Sequence, residues 1–371
     1  MNKCRLMLGF VCIFLLVVSC AEDDPKTSDD PNTTTTGPRD TCMNDAALMY
    51  IENTGACVPP ATDYQPRTGI DTWDACISDD NTYHRIEESI SSIARVEAYD
   101  SIGDLLWRNA DIPTVQNFLD ARDLLDSEEG LGSRLDRRYD VHYDPPADGT
   151  SCDDEGVAAL YPDYCVGPGT LRPVLNDAFS RAQAGEEFQI HAERIHAALQ
   201  WFLYVSPLKE GTTCATTAKD CDSSWAYYTG GTPREAPIGL AAEFNAIAPE
   251  THNRAYDAAL ALRCWRDLDS AETATDLVLR DQALAQYDTA LIHGMAVLIR
   301  QRFAAISTCE TVLERRAALA GLRVLVPLFD RDIRTRNAAA ADILIAEIAK
   351  THDAVDTDAA VAAIDSVYQC P

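Results

Sequence analysis

Four potential metal donors crowd one short stretch of this chain: Glu187, His191, Glu193 and His196. Glu187 stands four residues before His191, and Glu193 three before His196. Those spacings set each carboxylate beside its imidazole on one helix, so that the helix can offer two ligands to a metal. At ~100° per residue, however, His191 and His196 fall on opposite flanks of the apolar face, and one ion cannot take both from this helix alone. Glu193-Arg194-Ile195-His196 has the E-x-x-H spacing of carboxylate di-iron bundles, which need a second such pair and two more carboxylates; the chain has no second E-x-x-H. The plain alternative is a salt bridge on the helix flank. His84 and Glu87 pair an imidazole and a carboxylate once more, and a metallopeptidase built on them would need a further ligand.

A second cluster runs from Lys219 to Gly231. Asp222 or Ser223 can cap a short helix carrying Trp225, Tyr227 and Tyr228, with Gly230-Gly231 ending it and Pro233 starting the next. Phenolate and carboxylate are hard oxygen donors suited to ferric iron. The same aromatic residues also serve as core packing with a hydrogen-bonded hydroxyl. The motifs of serine hydrolases, P-loop nucleotide binders, zinc peptidases and dinucleotide-binding folds are all missing.

The elements that must position these groups are helical. Phe188, Ala192, Ile195, Leu199 and Phe202 recur at alternating four and three, the period of one helix face. Leu277, Leu284, Leu291 and Leu298 repeat every seven, beside Ile292, Ile299 and Ile306. This predicts a helix of about 30 residues, on the order of 45 Å long and able to run the length of a bundle. Alanine-rich helices follow over 315–328 and 337–349, and no run alternates as strand. The expected fold is all-α, a disulfide-stapled helical bundle of long antiparallel helices over 171–371, preceded by an irregular cysteine-rich part, 42–170.

The start of the chain reads as a bacterial lipoprotein signal. Lys3 and Arg5 precede the apolar stretch Leu6 to Val18, too short to span ~30 Å of hydrocarbon, and Val17-Val18-Ser19-Cys20 fits a lipobox. Residues 1–19 are then a signal peptide and Cys20 the lipidated N-terminus, held in the cell envelope by acyl chains, with sorting to the outer membrane expected. Residues 20–41, rich in Asp, Pro and Thr, bury nothing and form a flexible tether. With 31 basic against 59 acidic side chains and a net charge of -28, nucleic acid is excluded as a partner, and the surface suits solubility or the concentration of cations. Of 13 cysteines, Cys4 and Cys12 leave with the signal and Cys20 takes lipid. The remaining ten point to disulfides in an exported protein. Cys214 and Cys221 are placed to close a local loop.

Trp225-Ala226-Tyr227-Tyr228-Thr229-Gly230-Gly231, preceded by Asp220 and Asp222 and followed by Leu240-Ala241-Ala242, resembles the Trp-Ala-x-Tyr-x-Gly stretch of algal low-iron-inducible, secreted iron-assimilation proteins, often grouped with phytotransferrins. The resemblance covers roughly residues 170–330. It implies capture of ferric iron outside the cell, with a carbonate-like anion completing the iron shell and an uptake receptor as partner. A more distant likeness is to imelysin-like periplasmic bundles, marked by G-x-H-x-x-E, of which Thr82 to Glu87 lacks the glycine. The expected function is therefore a lipid-anchored, non-enzymatic iron-binding protein with Tyr227, Tyr228, Asp222, Glu187, His191, Glu193 and His196 as candidate ligands, and Arg194 or Arg234 as holders of the anion. The alternative is a structural or adhesion lipoprotein without metal. Convergence of at least three of these donors on one point separates the two.

Overall fold

A computed structural model describes residues 59–66, 71–108, 112–147 and 149–370. The stretches expected to be signal peptide and tether, with Cys20, Cys42 and Cys57, lie outside the described residues. Among those described there are 13 α-helices and no strand, as the periodicity predicts. They are α1 (Ser91–Leu106), α2 (Val115–Asp126), α3 (Gly132–Leu135), α4 (Val157–Leu160), α5 (Arg172–Gln183), α6 (Phe188–Thr213), α7 (Lys219–Thr229), α8 (Leu240–Ile247), α9 (Pro249–Leu268), α10 (Leu277–Thr308), α11 (Val312–Arg336), α12 (Ala338–Ile348) and α13 (Thr357–Asp365). No described helix is long and apolar enough to cross a membrane.

Local chemistry sets the helix starts. Thr114 and Thr311 close capping boxes with Asn117 and Glu314, while Asp276, Asn337 and Asp356 accept from backbone N–H groups of α10, α12 and α13. The heptad leucines fall on α10, whose 32 residues carry Leu291, Leu298, Ile292, Ile299 and Ile306 into the core. Helices α9, α10 and α11 follow one another through short connections and pack side by side, the arrangement that makes successive helices antiparallel. α6 lies along α11 and runs eight residues beyond Val205, straight through Pro207.

The part read as irregular is only partly so. α1 and α2 are regular helices that pack on each other, and α1 also packs on α6 and α7. Their Val96, Tyr99, Ile102, Phe118 and Leu125 belong to the same buried cluster as the long helices. Cys76 is bonded to Cys264 of α9 across 188 residues, Cys152 to Cys165, and Cys214 to Cys221 as the spacing predicted. Cys309 and Cys370 are disulfide-bonded too.

Candidate functional site

α7 decides where the predicted ligands go. It begins at Lys219 rather than at a cap supplied by Asp222 or Ser223, so Asp222 sits inside the helix. Gly230, with φ 70°, ends it as expected, but Pro233 starts no helix; α8 begins only after Gly239. At ~100° per residue α7 presents three different faces. Tyr227 faces a pocket together with Lys219 and Ser223, eight and four residues before it. Tyr228 turns into the core, where its hydroxyl bonds His252 Nδ1 at 2.9 Å while His252 Nε2 meets the Arg234 carbonyl. Asp222 looks the other way and accepts from the Tyr83 hydroxyl and from the backbone N–H groups of Ile86 and Glu87 at 2.8–3.1 Å. With Tyr83 stacked on Trp225 at 4.3 Å, it fastens the 83–87 segment to α7. His84 of that segment pairs with Asp80.

The donors of α6 separate in the same way. Glu187 lies at the helix start and pairs with Arg316. His191 is buried beside Arg194, and burial, with Arg194 and Arg181, holds its imidazole below its usual pKa. Glu193 and His196 do share a site, but with Arg302, whose Nε lies 3.6 Å from Glu193. His196 bonds Glu243 at 3.0 Å and stacks on Trp107 at 4.3 Å. Glu243 is also the acceptor for Tyr99 and Gln200; burial opposes its charge, yet His196 and these donors hold it down at about 2. Every predicted ligand other than Tyr227 is thus committed to a protein partner or to packing. Among the described residues no group of three or more His, Cys, Asp or Glu could hold a metal ion. The proposed anion holders are engaged as well, Arg194 with Asp177 and Arg234 with Asp257 and Asn81.

The pocket at Tyr227 has a different character. It measures about 290 Å³ and, among the described residues, is lined by Arg95, Arg134, Arg137, Arg138, Lys209 and Lys219 against two acids, Glu210 and Asp220, with Ser89, Ser91, Ser92 and Ser223 among the rest. Four separate segments build it. The first is the start of α1, whose first turn no side chain caps, leaving the positive end of the helix facing these serines. Arg95, one turn in, spends one nitrogen on Ser91 at 2.6 Å. The second is the turn after α3, held from behind by Gly167, whose N–H donates to the Arg138 carbonyl at 3.0 Å. A Cβ on Gly167 would lie 1.9 Å from the Leu135 carbonyl oxygen, so only glycine allows that approach. The last turn of α6 and the first of α7, joined by Cys214–Cys221, supply the other two walls.

Arg138 is 2% exposed and lies over the rings of Phe202 and Tyr227 at 5.0 and 4.9 Å, with one nitrogen on Glu210 at 2.8 Å. Burial works against its charge, but Tyr227 and Glu210 outweigh it and raise its pKa. Arg95 goes the other way: burial and the charges of Arg134 and Arg138 lower its pKa. The Nε–H groups of both Arg95 and Arg138 are buried with no acceptor among the described residues. Buried donors are nearly always paired in native proteins, but Arg234, Arg266 and Arg302 carry the same orphaned Nε–H elsewhere, so the cationic lining and not these two atoms distinguishes the pocket. No family model, curated protein or solved structure matches this chain. The pocket therefore has to be interpreted from its own chemistry. Of the predicted site residues it contains Tyr227 alone. The basic residues from 95 to 219 lie far apart in sequence; Arg134-x-x-Arg137-Arg138 and the serines around the start of α1 were the available signal.

Proposed function

We propose that this chain is an envelope-tethered binding protein that captures a small oxyanion in the arginine-lined pocket. The observation that carries the proposal is six cations against two acids around one cavity among the described residues, in a molecule with almost twice as many acidic as basic side chains. Guanidinium groups, hydroxyls and an uncapped helix start are the donors that oxyanions bind. A volume near 290 Å³ stands at the foot of the range of ~300–1,000 Å³ that small-molecule sites occupy. Neither a nucleophile with an adjacent base nor a metal cage supports catalysis in this pocket, and binding is the activity assigned. The lipidation of Cys20 supplies the tether in this proposal.

The test is thermal unfolding of the mature, disulfide-bonded protein in phosphate, sulfate, citrate and chloride at equal ionic strength. A bound anion stabilises the folded state by mass action, so at least one multivalent anion should raise the melting temperature above that in chloride. Arg137 and Lys219 have no carboxylate partner among the described residues, so Arg137→Ala with Lys219→Ala should fold normally and lose most of that rise. Equal melting temperatures in all four salts would favour the structural or adhesion lipoprotein instead.

A further inference from the structure

Asp220 is out of place in an oxyanion pocket. It lies at the start of α7 between cationic neighbours, and its Oδ2 accepts from the Thr213 hydroxyl at 2.7 Å. Glu210, the other acid, spends both oxygens on Arg138 and Lys209. Asp220 Oδ1 accepts no hydrogen bond among the described residues, and the side chain lines the cavity. Burial, assisted by the charge of Glu210, pushes its carboxyl above the usual range, a sign that the site does not neutralise it in full.

A carboxylate facing an anion repels it, unless the anion brings a proton. Sulfate at neutral pH offers only acceptors. Phosphate at the same pH keeps at least one P–OH, which can donate to a carboxylate oxygen while its other oxygens take the guanidinium and hydroxyl donors. Resting on the capture function above, we infer that Asp220 makes the pocket select a phosphate group bearing a proton and reject sulfate. Specificity of this kind comes from a repulsive element as much as an attractive one, and sites built around a ligand hydroxyl discriminate strongly against analogues that lack it.

Isothermal titration of the mature protein with inorganic phosphate, sodium sulfate and glycerol 3-phosphate, at pH 7 and fixed ionic strength, tests this. Phosphate should bind about tenfold or more tighter than sulfate, the factor a charged hydrogen bond supplies. A phosphate monoester, with its second pKa at about 6, has mostly lost its P–OH at pH 7, so inorganic phosphate should bind more tightly than glycerol 3-phosphate; the reverse order overturns selection through the proton. Asp220→Asn keeps an acceptor for Thr213 and gains an N–H for sulfate, so it should bring the two affinities within about threefold. Arg137→Ala should weaken both anions and leave their ratio alone, with circular dichroism confirming that each variant is folded. Equal affinity for phosphate and sulfate in the unaltered protein, or an unchanged ratio in Asp220→Asn, overturns the role of Asp220 while leaving anion capture standing. Binding of no anion at all removes both.

Discussion

Asp222 and Tyr227, five residues apart on one helix, show how a single rotation separates structure from function. Asp222 receives three donors from the 83–87 segment; Tyr227 lines a cavity. Replacing Asp222 by Ala leaves a phenol and two backbone N–H groups without their acceptor, which should cost roughly 2–4 kcal/mol in urea unfolding. Phosphate affinity should change little, because the carboxylate is on the other side of α7. A large loss of anion binding without a loss of stability would show that Asp222 has been assigned to the wrong role. The scatter of the seven predicted donors also yields an expectation about iron. Ferric ion added to the mature protein should produce no tyrosinate charge-transfer band, and a band that Tyr227→Phe abolishes would return the phenol to metal chemistry.

Among the elements, the turn carrying Arg134, Arg137 and Arg138 depends on the close approach of Gly167. Gly167→Ala places a methyl 1.9 Å from the Leu135 carbonyl oxygen and 2.9 Å from Arg138 Cβ, so the turn must move. Overpacking of this sort costs about 1–3 kcal/mol. Because the clash falls on Leu135 and on Arg138, phosphate affinity should fall together with the melting temperature; a stability loss with unchanged affinity would show that the turn does not set the pocket. This dependence explains what the sequence could and could not reveal. Helices α6, α10, α11 and α12 were legible because long apolar periodicities report burial directly. α1 and α2 lay in a stretch interrupted by turn residues, where the sequence shows helical patches among loops but not the bounds of these two helices. The pocket was illegible for a different reason: residues 95, 134–138, 209 and 219 meet only through tertiary packing, and nothing in their local spacing says so. The metal reading rested on local spacing alone, and i, i+3 and i, i+4 neighbours on one helix are as well served by Arg302 and Arg316 as by an ion.

For the whole molecule, buried histidines set the range of pH over which the bundle holds. His252 and His293 are buried, and burial pushes both down to about 4, whereas an unfolded chain protonates them near 6.5. Below that value the unfolded state binds more protons than the folded one. Their contribution is therefore complete above pH ~6.5 and lost as pH falls toward 4. His142 works in the opposite sense. Burial opposes its charge, but Asp140 at 2.6 Å and Asp288 at 3.0 Å outweigh it and raise its pKa to about 9. The folded state holds that proton longer than the unfolded one, so this contribution is complete below pH ~6.5 and disappears as pH rises through about 9. The two opposed slopes place maximum stability near pH 6.5, on the order of the ordinary imidazole value. Urea midpoints measured from pH 4 to 9 should fall on both sides of that maximum. His142→Asn should flatten the alkaline limb and leave the acid limb in place. If the alkaline decline persists undiminished in that variant, the junction of Asp140, His142 and Asp288 does not govern it, and the loss must be sought in another group that titrates above neutrality.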